Sequence, residues 1–178
     1  MSRIGIAVTT RDRPASLART LAALRQLAPP GAELVVVDDA SSQPAIGATY
    51  RFERNVGIAA AKNKCLELLD DCEHIFLFDD DMRPKAAGWW VPYIESPLPH
   101  LMYVFDDYAC GPQVRDTVEV HRDESHVAYS HPRGCMLYLH RSCLERVGGM
   151  DWGYGVWGYE HADLSDRICE AGLTPYAY

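Results

Sequence analysis

The chain has 178 residues, 48% hydrophobic and 24% charged, the balance of one soluble globular domain rather than a disordered, collagen-like or coiled-coil chain. Seventeen Lys and Arg against 25 Asp and Glu leave a net charge of −8, which disfavours general nucleic-acid binding. No run of 18 apolar residues offers a transmembrane segment, and MSRIGIAVTT meets Arg11 too early for a signal-peptide core, so a cytoplasmic protein is expected.

Ile4–Thr9 is a short apolar run that predicts a buried strand. Pro14 opens a helix with Leu17, Leu21, Leu24 and Leu27 at helical spacing, and Pro29, Pro30 and Gly31 end it. Glu33–Val37 predicts a second strand, Arg51–Glu53 a short one, Ile58–Leu69 a helix and His74–Phe78 a further strand. This alternation predicts a parallel sheet flanked by helices. The second half is less regular. Strands are expected within Val118–Ser130 and over Cys135–His140, and helices over Arg141–Val147 and Glu160–Ala171. Six cysteines lack zinc-type spacing, which predicts reduced core thiols. His100, His121, His126, His131 and His140 likewise show no ligand spacing of the HExxH kind and are expected at surfaces or in loops.

In a parallel sheet ligands bind beyond the carboxyl ends of the strands. Three strands end in TTRDR, DDASS and DDDM, so the polar chemistry of the first half converges on one edge. Adjacent carboxylates at Asp79, Asp80 and Asp81 repel one another unless a cation neutralises them, and hard oxygen donors suit Mg²⁺ or Mn²⁺. A solvated acidic turn is the alternative. Asp38 and Asp39 could accept hydrogen bonds from a base or ribose, or simply form a turn. Arg11 and Arg13 could meet a diphosphate through charge-assisted bonds, or be surface arginines. Together these groups describe a nucleotide-diphosphate site.

With IGIAVTTRDRP, ELVVVDDASS, RNVGIAAAKNK, HIFLFDDDM, GCMLYLHRSCLERVGGMD and WGYEHADLSDRICEAG in this order, the chain resembles a family 2 glycosyltransferase of the GT-A fold. The resemblance implies a single α/β domain, with 1–82 as nucleotide-binding half and 83–178 as acceptor-binding half. It implies transfer of a sugar from a nucleotide-diphosphate donor, UDP-sugar first, to an acceptor hydroxyl, usually with inversion. It places Thr9, Thr10, Arg11, Arg13, Asp38, Asn55, Gly57, Lys62, Asn63 and Asp80 around the nucleotide. Asp79 and Asp81 become the outer residues of a DXD motif holding Mn²⁺ or Mg²⁺, with Asp81 as direct ligand. Gly148, Gly149, Met150 and Asp151 match the loop before the acceptor site.

The last motif also resembles the WGGE-type motif of galactosyl- and N-acetylgalactosaminyl-transferases, but His161 stands where many relatives carry Asp. Glu160, His161 and Asp163 are therefore all candidates for the base that deprotonates the acceptor, with a carboxylate slightly favoured. Aromatics crowd the second half. Trp89 and Trp90 are expected in the core, whereas Trp152 and Trp157, in a Gly-rich stretch before Glu160, are expected to stack on a sugar. A sugar-phosphate nucleotidyltransferase, which has a related sheet, is one alternative, and the absence of glycine from TTRDRP counts against it. A non-catalytic nucleotide-sugar or glycan-binding module of the same fold remains the other alternative.

Overall fold

The longer strands are buried almost end to end, so each one presents apolar residues to both covered faces of a sheet. In the computed structural model, which describes residues 2–103, 117–156 and 158–178, these strands are β1 (Ile4–Thr10), β2 (Glu33–Asp38), β3 (Tyr50–Arg51), β4 (His74–Asp79), β5 (His100–Met102) and, later in the chain, β8 (Met136–His140). They form one six-stranded sheet in the order β3-β2-β1-β4-β8-β5. β1, β2, β3 and β4 are parallel, and β8 alone runs against its neighbours β4 and β5. The mostly parallel sheet expected from the sequence is therefore present.

Ala7, Val35, Val37, Ile75, Leu77, Leu137 and Leu139 face α2 (Ile58–Leu68), α4 (Arg141–Val147) and α5 (Glu160–Glu170). Ile6, Val8, Val36, Phe76, Phe78, Met136 and Tyr138 face α1 (Pro14–Leu27) and the segment that includes α3 (Val91–Ile94). Trp89 belongs to this second layer. Its ring meets Phe76 edge-on at 4.8 Å, and its indole N–H donates to Leu27 O at 3.0 Å. Trp90 packs beside it, so both tryptophans are packing residues, as expected.

The Val118–Ser130 region forms a separate two-stranded antiparallel sheet, β6 (Glu119–Arg122) and β7 (Val127–Tyr129). The short strand expected at Arg51–Glu53 instead lies at Tyr50–Arg51, because Val37 and Asp38 pair with those two residues. Cys65, Cys72 and Cys143 are buried and all described cysteines are free thiols; Cys135 and Cys169 are only partly buried, and Cys110 lies outside the described residues. No helix is long and apolar enough to cross a membrane among the described residues.

One buried histidine ties the sheet to α5. His100 Nδ1 lies 2.8 Å from Tyr138 O and Nε2 lies 2.7 Å from Ser165 Oγ. Burial pushes its pKa down from 6.5 to about 4. Between those values the unfolded chain binds a proton that the folded chain refuses, so this contribution is intact above about pH 7 and is lost as pH falls towards 4. The loss at pH 4 is about 3 kcal/mol, at about 1.4 kcal/mol for each pH unit separating the two values. We expect His100→Gln to flatten the stability profile between pH 7 and 4.5. An unchanged slope in urea unfolding midpoints would exclude His100 as its source.

Candidate active site

The carboxyl ends of β1, β2 and β4, the start of β8 and the amino end of α5 surround an open cavity of about 720 Å³. This is the edge to which a parallel sheet brings its strand-end loops. β1 delivers Thr9, Thr10, Arg11 and Arg13 to the wall. The Thr9 hydroxyl is buried with no hydrogen-bond partner among the described residues, so the wall presents an unsatisfied polar atom.

The three aspartates after β4 divide their tasks. Asp80 is 2% exposed and turns inward. Its Oδ2 accepts from Thr10 Oγ1 at 2.6 Å, its Oδ1 sits 2.9 Å from the Arg13 guanidinium, and its carbonyl accepts from Thr20 Oγ1 at 2.7 Å. Burial raises its pKa, with Thr10 and Arg13 opposing. Asp81 is half-exposed and accepts from Arg13 at 2.7 Å. Asp79 lines the cavity, and its Oδ1 is buried without a hydrogen-bond partner. Burial raises the Asp79 pKa, and the nearby charges of Asp81 and Glu160 add to that effect against Lys62. A divalent cation fits this arrangement. The donors on offer are hard carboxylate oxygens, and Asp79 Oδ1 accepts no hydrogen bond, its one neighbouring charge being Lys62 at 3.6 Å.

Lys62, on α2, is 2% exposed and lies between two acids. Its Nζ is 3.6 Å from Asp79 Oδ1, 3.4 Å from Glu160 Oε1 and 3.2 Å from Gly134 O. Burial alone would lower its pKa, but the two carboxylates outweigh it and hold the ammonium charged. Glu160 is buried at the start of α5, preceded by Tyr159 in the left-handed region at φ 62°. Burial disfavours its charge, yet His161 and Lys62 hold its carboxyl well below the ordinary range. His161 Nδ1 lies 3.4 Å from Glu160 Oε1. The imidazole rests on Gly134, where a Cβ would come within 2.5 Å of the ring. Gly134 and Cys135 are thus cavity residues that the sequence reading missed, since nothing but a Pro-Arg-Gly turn marked them. Burial pushes the Cys135 thiol up to about 11, so it is a neutral wall group rather than a core residue.

Several expected site residues have other duties. Asp38 is fully buried, and its carboxylate accepts from Ser41 N and Ala45 N at 2.9 Å each and pairs with Arg51 at 3.2 Å. Its capacity is spent inside the loop, and it is Asp39 that reaches the cavity wall. Asp39 accepts from Val56 N and Gly57 N at 2.7 and 3.0 Å, next to Asn55, whose Oδ1 also accepts from Gly57 N. Gly57 lies beneath this wall at φ 90°, and a Cβ there would overlap Gly155 O. Asn63 faces away and staples the chain, donating to Met150 O and accepting from Met150 N, both at 2.8 Å.

Asp163 is bound by Arg167 at 2.8 Å, and Arg167 also donates to Val147 O and Gly149 O, so this carboxylate buttresses the loop before the site. Asp151 caps the turn Trp152–Tyr154 by accepting from Gly153 N. That turn presents Trp152, 69% exposed, to a different cavity beside Tyr50, Phe52 and Asn63. Trp157 lies outside the described residues. We expect Asp38→Asn to cost about 2–3 kcal/mol in unfolding free energy, because it replaces charge-assisted bonds with a mismatched amide. Nucleotide affinity of the folded variant should stay within twofold, and a large affinity loss at unchanged stability would return Asp38 to the ligand.

A mostly parallel sheet with this polar cavity at its carboxyl edge defines a GT-A nucleotide-sugar transferase architecture. Residues 5–95, just over half of the chain, match Glycosyl transferase family 2, and the chain belongs to that family. Residues 117–178 match the N-terminal domain of galactosyltransferase. No curated protein matches the chain. Among solved structures, a mannosyltransferase from Pyrobaculum calidifontis in complex with GDP-Man and Mn²⁺ is 20% identical, with 92% of this chain and 52% of that chain covered and a TM-score of 0.67. GalNAc-T7 with UDP, GalNAc and Mn²⁺ is 15% identical, with 94% and 40% covered and a TM-score of 0.69. TarS 1-349 of S. aureus is 13% identical, with 93% and 55% covered and a TM-score of 0.65. These likenesses establish the GT-A fold, and the chain spans about half the length, or less, of the structures it matches.

Proposed function

We propose that this protein transfers a sugar from a nucleotide-diphosphate donor, UDP-sugar first among candidates, to an acceptor hydroxyl with inversion. The observation that carries this reading is the strand-end cavity in which arginines, a buried lysine and unsatisfied carboxylate oxygen face one space. The Mn²⁺ and nucleotide complexes of GT-A neighbours support it.

Asp39 and Asn55 border the nucleoside end, and Arg11 and Arg13 meet the diphosphate through charge-assisted bonds. Asp79 and Asp81 would hold Mn²⁺ or Mg²⁺, which supplies Lewis-acid stabilisation of the leaving diphosphate when bound. Residues 1–82 furnish most of the donor wall, and 83–178 furnish the acceptor side. There, Glu160 orients His161 through Nδ1, leaving Nε2 to take the proton of the attacking hydroxyl. The commitment of Glu160 to Lys62 and of Asp163 to Arg167 favours the imidazole as base.

Calorimetry with UDP, GDP and dTDP, with and without Mn²⁺, tests the donor site, followed by transfer assays with the matching nucleotide-sugars. Binding of one nucleotide that strengthens at least tenfold with Mn²⁺, and loses that gain in Asp79→Asn, is expected. Absence of nucleotide binding under all conditions would overturn the reading.

A further inference from the structure

Away from the cavity, the β6–β7 hairpin brings together three side chains that sequence spacing did not single out. His121 is the penultimate residue of β6, Asp123 opens the turn and His126 precedes β7. One ligand atom from each lies within 4.8 Å of the other two. The Asp123 carboxylate sits between the imidazoles, with Oδ2 3.2 Å from His121 Nε2 and Oδ1 3.2 Å from His126 Nδ1. Its orientation is set by the turn. Oδ1 accepts from Ser125 N and Ser125 Oγ at 2.7 Å each and from His126 N at 3.0 Å. That leaves Oδ2 directed at His121. Tyr176 stacks on the His121 ring at 5.0 Å, which restrains it from the other side. His126 Nδ1, the ring nitrogen that faces Asp123, also lies 2.9 Å from Ser125 Oγ, and its other nitrogen, Nε2, is buried with no partner among the described residues.

We infer that His121, Asp123 and His126 form a second divalent-metal site, suited to Zn²⁺ and separate from the aspartates of the cavity. Two imidazoles and one carboxylate with a remaining open position are a ligand set for zinc rather than for Mg²⁺ or Mn²⁺. The two 3.2 Å contacts use different carboxylate oxygens; one Asp123 oxygen and one nitrogen from each imidazole lie within 4.8 Å of one another, and small side-chain rotations would close them around a tetrahedral ion at bond lengths of about 2.0–2.2 Å. The hairpin also has reason to need such a clip. β6 is largely exposed, and Val118 and Val120 are 60% and 54% exposed, so little apolar burial holds the two strands together. The other acid cluster, Glu33, Asp71 and Cys72, lacks this character, because Arg3 already pairs with both of its carboxylates.

The test uses tag-free full-length chain carrying Asp79→Asn and Asp81→Asn, which removes the competing aspartates. Zn²⁺ and Co²⁺ are titrated by calorimetry and visible absorption. One equivalent of Zn²⁺ is expected, together with four-coordinate Co²⁺ d–d bands and no thiolate charge-transfer band. His121→Ala and Asp123→Asn, each checked for a native circular dichroism spectrum, should weaken binding at least tenfold, while His131→Ala leaves it unchanged. Zn²⁺ should also slow amide exchange across 119–129. No saturable binding in the aspartate-free background, binding unaltered in both His121→Ala and Asp123→Asn, or a thiolate band that assigns the ion to cysteine would each overturn the site.

Discussion

Replacing Lys62 with Met is expected to destabilise the protein by about 2–4 kcal/mol at neutral pH, because it leaves the buried carboxylate of Glu160 and the one-third-exposed carboxylate of Asp79 without the ammonium between them. Met has nearly the volume of the lysine stem, so the loss is electrostatic rather than a cavity effect. The ammonium now lies 3.6 Å from Asp79 and 3.4 Å from Glu160, and is itself 2% exposed. In the variant both carboxyl groups bind protons more readily when folded than when unfolded. The penalty therefore shrinks as pH falls through the range where unfolded carboxyls protonate, near 4. Adding Glu160→Gln should recover part of the loss, since one uncompensated charge disappears. Urea unfolding from pH 8 to 4 measures this. A loss below 1 kcal/mol that does not vary with pH would mean that Lys62 is not the compensating charge.

His161→Gln is expected to lower kcat by about 100-fold or more, the range for loss of a general base, while nucleotide affinity stays near wild type. Glutamine keeps a polar head but cannot accept and carry a proton. Glu160→Gln should give a smaller loss, because it removes only the group that orients the ring. Gly134→Ala reaches the same imidazole by a different route. A Cβ within 2.5 Å of the ring forces His161 to move, so kcat should fall although no reactive group is removed. A steady-state comparison on one donor and acceptor separates these cases. If Glu160→Gln abolishes turnover and His161→Gln leaves it intact, the proton goes to the carboxylate.

β1, β2 and β4 were legible because each is a short apolar run that leads into charged residues, and α1 because it carries leucines at a helical period, whereas β3 is two exposed residues with no such run. β5 and α3 were not. His100–Met102 is three residues long, and Val91–Ile94 is four, too short for either period to register. The site was legible by location more than by contact. Strand-end chemistry put Thr9, Thr10, Arg11, Arg13 and Asp79 on the right edge. Which member of an acidic pair faces a ligand depends on where the loop sends its own amides. Ser41 N and Ala45 N capture Asp38, and Val56 N and Gly57 N hold Asp39 at the wall. Asn63 and Asp163 show the same limit. Each sits one helical turn or less from a cavity residue, but Asn63 is claimed by Met150, 87 residues away, and Asp163 by Arg167, one turn further along the same helix and itself anchored to Val147 O and Gly149 O.

The contact between Gly57 and the segment Gly155–Val156 has a bearing on how this protein could be recombined with its relatives. Ile58 N donates to Val156 O at 3.1 Å, so the first turn of α2 takes its cap from a stretch of chain about a hundred residues later. Gly57 lies within the part that matches one family model and Gly155 within the part that matches the other. A chimera that joins this amino-terminal half to a foreign carboxyl-terminal half inherits a steric covenant between them. Gly57 must arrive with a bare backbone, because a Cβ there would overlap Gly155 O, and position 155 must keep its positive φ of 66°, which favours glycine, or the two segments cannot close on one another. Crossovers that move the two glycines together, and diversity placed at exposed Tyr154 and Val156, are the routes that respect it.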